Sequence, residues 1–456
     1  MPNRTGAQAH GRNAELGSSR ILGPIAMCWI LKTQGGKQMR QIRLLVVATV
    51  GIALLAVRPS AAGPVTLGPV TDAVGVVRIA RGQPIVLASW QVISGPNASL
   101  GIDQNRGIEL AIEDKGGRLL DHPIRLVRED SGCNAEGGVT AATRIAANRQ
   151  VVAAIGSTCS SEAVPGAPIL WRAGIVTVSG SNTAPVLTAA NRPATLNGYL
   201  RTAHNDQVQG RVAAQFAFFA QQVRRAVTIH DGSPYAEGLA NVFATVFRTL
   251  GGTITAQEAI SPGDTDMRPV LTRIATGNPQ LLYYPIFVAE GGHVTRQARE
   301  VAGLARTILM GADGLFAPDF LRAAGPAARG MFLSSPDLSP EALGPRYQRL
   351  LERYRQKFGE RPPAAFHAHT YDATHMIFAA IERVARKDAQ GNTYIGRQAL
   401  RDALFATRNF QGVTGTLTCT PTGDCADPKI VVYEVFSANP ERWEPGTDPK
   451  PVFPRR

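Results

Sequence analysis

Two hydroxyl-rich segments stand out for the chemistry they can do. Residues 156–161 read Gly-Ser-Thr-Cys-Ser-Ser and follow a short apolar run at 151–155. Residues 179–185 read Ser-Gly-Ser-Asn-Thr-Ala-Pro and follow a second run at 175–178. Neither segment carries a charge. If each run is a strand and each segment leads into a helix, the turns present backbone N–H groups and the hydroxyls of Ser160, Ser181 and Thr183 at a helix N-terminus, where the helix dipole favours an anion. A phosphate cradle would want Lys or Arg and the P-loop spacing, and both are missing. A carboxylate fits the pattern. For either turn alone, ordinary N-capping by Ser and Thr is the alternative.

A third segment, residues 230–238 (His-Asp-Gly-Ser-Pro-Tyr-Ala-Glu-Gly), places Tyr235 in the first turn of a helix. Asp313, in the Met-Gly-Ala-Asp-Gly run 310–314, ends another strand. A carboxylate there can pair with an ammonium group. Anion ligands on one side and a negative charge on the other are what an α-amino acid zwitterion needs. Catalysis is poorly supported. Ser160 lacks a Gly-x-Ser-x-Gly elbow, and neither Asp313 nor Glu290 has a histidine placed beside it by the sequence. His367, His369 and His375 share a helix, but their spacing does not bring all three onto one face, so no metal site is expected. No cofactor is expected either.

These residues need a scaffold that delivers strand ends to a common cleft. From residue 84 onward, strand and helix signals alternate. Strands are expected at 84–89, 124–128, 151–155 and 175–178, with helices at 103–115, 135–148, 160–172 and from about Thr183. A second series has helices at 206–222, 234–250, 265–276 and 291–303, and strands at 226–230, 253–256, 280–285 and 307–310. Strands separated by helices of this length mean βαβ units and parallel sheets. Two series imply two doubly wound α/β lobes. Ligands bind beyond the carboxyl ends of such strands, here in the cleft between lobes. The tail should hold long helices at 339–358 and 364–386, then a hairpin of 414–418 with 430–436.

The chain has 456 residues and a formal charge of +13. More than half of that charge lies in residues 1–62, where Arg4, Arg12, Arg20, Lys32, Lys37, Arg40, Arg43 and Arg58 face Glu15 alone. The remainder is spread out, without the basic run that would mark a nucleic-acid partner. Residues 39–62 have the layout of a secretory signal peptide: Arg40 and Arg43, an apolar run at 44–57, and small residues at 60–62. The apolar run is short for a spanning helix. Met39 is the expected true start, which would make residues 1–38 an untranslated extension. Four cysteines follow the signal segment. Cys419 and Cys425 flank a turn sequence, which makes local pairing easy and leaves Cys133 with Cys159. Their spacing fits no zinc pattern.

At these positions the chain resembles the branched-chain amino acid binding proteins of bacterial ABC transporters, the type I periplasmic binding proteins. The similarity runs from about residue 84 to 436. It is carried by residues 93–96 (Ile-Ser-Gly-Pro), 105–117 (Asn-Arg-Gly-Ile-Glu-Leu-Ala-Ile-Glu-Asp-Lys-Gly-Gly), 159–161, the Asp231, Tyr235 and Gly238 pattern, 296–299 (Arg-Gln-Ala-Arg) and 371–373 (Tyr-Asp-Ala). The resemblance implies two lobes joined by crossings near 201–205, 330–335 and 412–416, closing on ligand by hinge motion. The N-terminal lobe would take 84–203 and 334–413, and the C-terminal lobe 204–333 and 414–456, after a leader at 63–83. It also implies the Cys133–Cys159 disulfide, carboxylate ligands at Ser160 and Thr183, and ammonium ligands at the Ser181 backbone, Thr183 and Asp313. It further implies a cleft tyrosine at Tyr235 and a side-chain pocket from Leu100, Phe287 and Phe366. The implied function is a monomeric periplasmic receptor that hands a small amino acid to an inner-membrane permease. Asp313 replaces the family's usual Glu, Leu100 replaces an aromatic, and Phe287 replaces a Tyr. The Cys419/Cys425 pair is not typical of the family. An aromatic or aliphatic carboxylate without an amino group is the alternative ligand, and a sensor for a signalling receptor the alternative role.

Overall fold

The computed structural model describes residues 64–454. The basic extension, the signal segment and Cys28 lie outside the described residues. The chain opens with a hairpin, β1 (Val65–Leu67) and β2 (Val70–Asp72), and strand β3 (Val76–Ile79). The first βα series follows: β4 (Ile85–Gln91), α1 (Ala98–Asp114), β5 (Arg118–Leu119), β6 (His122–Asp130), α2 (Ala135–Ala147), β7 (Val151–Gly156), α3 (Ser160–Arg172), β8 (Val176–Ser179) and β9 (Tyr199–Arg201). The second runs α4 (Asp206–Gln215), β10 (Arg225–His230), α5 (Pro234–Thr249), β11 (Thr253–Ala259), α6 (Arg268–Ala275) and β12 (Leu281–Tyr283). It continues with α7 (Val288–Glu300), β13 (Ile308–Gly311), α8 (Pro318–Ala324) and β14 (Phe332–Pro336). The tail holds α9 (Pro340–Leu343), α10 (Pro345–Phe358), α11 (His367–Val384), β15 (Arg386–Lys387), β16 (Thr393–Gly396) and α12 (Arg397–Phe405). It ends with β17 (Phe410–Gln411), β18 (Thr416–Leu417), β19 (Ile430–Glu434) and β20 (Lys450–Phe453).

The first series makes a sheet in the order β5-β6-β4-β7-β8-β9, parallel except at β5. Its central strand β4 is buried along its whole length, as a strand covered by helices on both faces must be. The second sheet runs β11-β10-β12-β13-β14-β19-β20, with β19 and β20 antiparallel. These are the two doubly wound α/β lobes read from the sequence. Helix α11 packs on α1, so the tail helices return to the first lobe. The chain crosses between lobes three times. Among the described residues, no helix is long and apolar enough to cross a membrane.

Several local expectations need correcting. No α-helix begins near Thr183. Pro185 starts a single 3-10 turn (Pro185–Thr188), and Pro193 precedes another. The helix expected at 339–358 breaks at Gly344, whose φ of +75° ends α9 before Pro345 opens α10. The hairpin of 414–418 with 430–436 does not form: β18 pairs with β17, while β19 pairs with β14 and β20. Residues 332–336 form β14 of the second sheet, so the second crossing falls after Pro336, later than 330–335. Leu417, Cys419 and Cys425 pack with Leu87, Ile155 and Leu200 of the first lobe, so the third crossing falls after Cys425.

Candidate functional site

Two adjacent parallel strands, β7 and β8, deliver the two hydroxyl-rich turns side by side. The first turn begins at Gly156, with φ +132°. A Cβ there would lie 2.6 Å from Trp90 O, so only glycine permits the bend. Cys159 then caps α3 in a capping box. Its N–H donates to Glu162 Oε2 at 2.8 Å, and the N–H of Cys133 donates to Glu162 Oε1 at 2.6 Å. Cys133 and Cys159 are disulfide-bonded, as are Cys419 and Cys425. Burial pushes the Glu162 carboxyl up to about 7, against the hydrogen bonds it accepts.

Ser160 is the first residue of α3 and is buried. Its Oγ accepts from the Ala184 N–H at 3.2 Å, which ties the first turn to the second. In the second turn, Ser179 Oγ accepts from the N–H groups of Ser181 and Asn182 at 3.1 and 2.9 Å. Ser181 Oγ donates to Thr158 O at 2.7 Å. Gly180 presses against α11: a Cβ at this position would meet Thr370 Oγ1 at 2.0 Å and Thr370 N at 2.7 Å.

The second lobe supplies the opposing wall. Ser233 caps α5, accepting from the Ala236 N–H at 3.2 Å, and sets Tyr235 in the first turn. Tyr235 donates to Asp313 Oδ1 at 2.9 Å and accepts from the Gly314 N–H at 3.1 Å. Gln209 Nε2, from α4, donates to the same Asp313 oxygen at 2.6 Å. Asp313 follows β13 and is 3% exposed. Burial raises its carboxyl to about 6, although Gln209 and Tyr235 stabilise the charged form. Asp206, at the start of α4, is fully buried beside Thr183. Its carboxyl is raised well above the ordinary value, chiefly by burial, with the nearby Asp313 adding to the effect. This end of the cleft therefore gathers acidic groups.

Leu100, Ser160, Ser181, Tyr235, Phe287, Asp313 and Phe366 line one cavity together with Thr158, Cys159 and Gly314. Phe287 packs on Tyr235 with ring centroids 5.4 Å apart. Thr183 is not on that lining; it is 1% exposed, and its carbonyl accepts from the Asp206 N–H at 3.0 Å. Sequence reasoning missed Thr158, Gly314, Gln209 and Asp206. For Asp206, the signal available was Asn205, which caps α4 and places the acid in its first turn. The cavity is small, about 20 Å³, room for a water molecule and not for an amino acid. The arrangement offers the Ser160 hydroxyl as a donor at one end, an anionic acceptor at the other, and apolar side chains around them.

Of the three histidines on α11, His369 packs edge-on against Phe366 with ring centroids 5.5 Å apart, and the other two lie away from the cavity. His367 sits between Asp103 at 3.2 Å and Tyr347 at 3.1 Å, and His375 faces Asp114 at 3.2 Å. A roomier cavity of about 300 Å³ is lined in part by Tyr347, Leu351, Arg355, Arg361 and Glu444. Its two arginines are both paired to Glu444, at 3.4 and 3.0 Å.

A family model described as periplasmic binding protein matches residues 84–439. The Leu/Ile/Val-binding protein homolog 3 of Brucella melitensis is 27% identical over 345 residues, 75% of this chain and 89% of that protein. The leucine-, isoleucine-, valine-, threonine-, and alanine-binding protein of Pseudomonas aeruginosa is 26% identical over 347 residues, 75% of this chain and 87% of its own. The solved leucine binding protein LivK of Thermotoga maritima is similar at a TM-score of 0.69 and 28% identity, over 78% of this chain and 96% of that one.

Proposed function

The chain belongs to the periplasmic binding protein family, and from that premise we propose that it captures an α-amino acid with an apolar side chain and delivers it to an ABC permease. It is a solute-binding protein of an ABC transporter, with a small amino acid or carboxylate as its solute, and not an enzyme. Export to the periplasm is part of the proposal and draws on the signal-like segment at 39–62.

One observation carries the amino acid reading. The buried carboxylate of Asp313 shares a single cavity with Ser160 and Ser181, which stand at the two charge-free turns of the other lobe. The ligand carboxylate docks at the turns, and its ammonium group meets Asp313. Leu100, Phe287 and Phe366 surround the side chain, which favours an aliphatic one. The small volume of the cavity means that its walls separate to admit the ligand and close again over it. The hinge is formed by the three crossings, near 201–205, 337–344 and 426–429. Ligand must bind the closed shape better than the open one for the permease to read occupancy.

The test is a thermal-shift screen of the mature chain with L-leucine, L-isoleucine, L-valine, L-alanine and benzoate. At a hundredfold excess over Kd, a ligand that binds only the native state adds about 2.7 kcal/mol, which for a chain of this size raises Tm by about 3 °C. A shift with an apolar amino acid is expected. A shift with benzoate alone would transfer the chain to the alternative class, carboxylates without an amino group.

A further inference from the structure

The loop closed by the Cys419–Cys425 disulfide has no part in the ligand contacts proposed above. It runs beside the end of β9, where the chain first leaves the first lobe. The Arg201 N–H donates to Gly423 O at 2.9 Å, and the Cys425 N–H donates to Arg201 O at 3.0 Å. Gly423, at φ +90°, allows this approach: a Cβ there would stand 2.5 Å from Tyr199 O. The loop presents Asp424. Its Oδ1 accepts from Arg201 Nε at 2.5 Å, and its Oδ2 accepts from Thr188 Oγ1 at 3.0 Å and Asn205 Nδ2 at 3.2 Å. Asp424 thus ties the disulfide-closed loop, which leads into the third crossing, to the first crossing.

The Arg201 side chain is fully buried, and Asp424 is its ion-pair partner among the described residues. Its remaining donors reach the ligand turn. One terminal nitrogen donates to Asn182 O at 3.1 Å and Ala184 O at 2.9 Å, the carbonyls on either side of Thr183. The other donates to Thr188 Oγ1 at 2.5 Å. Ala184 in turn gives its N–H to Ser160. A buried guanidinium keeps such an arrangement only while its charge is matched, since an unpaired buried charge is costly.

We propose that Asp424, held in place by the disulfide-closed loop, is a positioning residue for ligand binding: through Arg201 it fixes the turn at 182–184 against Ser160. This rests on the reading of that turn as the carboxylate wall of the cleft. It also couples the wall to the hinge, because Asp424 bonds Asn205 on the first crossing and stands just ahead of the third.

The test compares wild type, Asp424→Ala, Asp424→Asn and Cys419→Ser/Cys425→Ser in the mature chain. Amide hydrogen exchange is followed without ligand, and dissociation is followed with L-leucine, or with benzoate if only that binds the wild type. Asp424→Ala is expected to speed exchange at residues 181–184 about tenfold and ligand dissociation by a similar factor, with the amides of β10, β12 and β13 unchanged. Asp424→Asn keeps an acceptor for Arg201 Nε and guards against a misfolded alanine variant; it should fall between the two. The double serine variant should move in the same direction. If exchange at 181–184 is unchanged while Tm falls, Asp424 is only structural and the proposal is overturned. If that turn loosens while dissociation stays at the wild-type rate, the positioning role in binding is likewise overturned. In that event Ser160→Ala separates the causes: unchanged binding there too would mean that the turns are not the ligand's wall.

Discussion

Asp313 concentrates the chemistry at the scale of single residues. Replacing it by Asn removes a charge while keeping the shape and acceptors for Tyr235 and Gln209. A hydrogen bond to a charged group contributes about 1.5–3 kcal/mol, so Asp313→Asn should weaken amino acid binding by about ten- to a hundredfold by calorimetry, and leave benzoate binding nearly unchanged. Acidity gives a second handle. Burial raises this carboxyl to about 6, so the folded protein holds its proton between the ordinary carboxylate range and about 6 while the unfolded chain does not. The ligand-free stability from this group is therefore greatest at low pH and is lost as pH rises through that window. Ammonium binding needs the ionised form and runs the other way: affinity for L-leucine should fall about tenfold per pH unit below about 6. A flat profile between pH 5 and 7 would remove Asp313 from the site. Ser160 and Asp313 were legible in the sequence because each stands just beyond the end of a strand, in a turn of uncommon local chemistry. Thr158 and Gly314 were hidden inside the same turns. Gln209 and Asp206 stand on a helix, where a polar residue reads as surface until packing shows it buried.

At the scale of elements, strand ends did the positioning, and the central strands could be read from their apolar runs. The turns between elements were harder. The helix expected from Thr183 became a 3-10 turn because Pro185 and Pro193 interrupt it, and the segment is held instead by Arg201. The C-terminal strands were visible, but their partners were not: pairing of β19 with β14 is a long-range choice that local pattern does not encode. Close packing of the second turn on α11 gives a prediction that belongs here. A methyl at Gly180 would meet the Thr370 backbone nitrogen, which cannot rotate away. Gly180→Ala should therefore cost at least about 2 kcal/mol in urea unfolding and weaken ligand binding with it. A fully stable, fully binding variant would mean that the turn has slack the structure does not show.

The whole molecule is two α/β lobes with three crossings, and the proposed function requires the lobes to change their separation. The cavity between the walls is too small for an amino acid, so a rigid body would not serve. The sequence announced two lobes through two successive βα series; it misplaced the second and third crossings because β14 and the disulfide-closed loop each extend a lobe beyond the expected boundary. The most direct measurement of the central claim is a calorimetric titration of the mature chain with L-leucine at pH 7.5, repeated with Asp313→Asn. The expected result is saturable binding at one site per chain, weakened at least about tenfold in the variant. Equal affinity in the two proteins, or no heat with L-leucine where benzoate titrates to saturation, would contradict it.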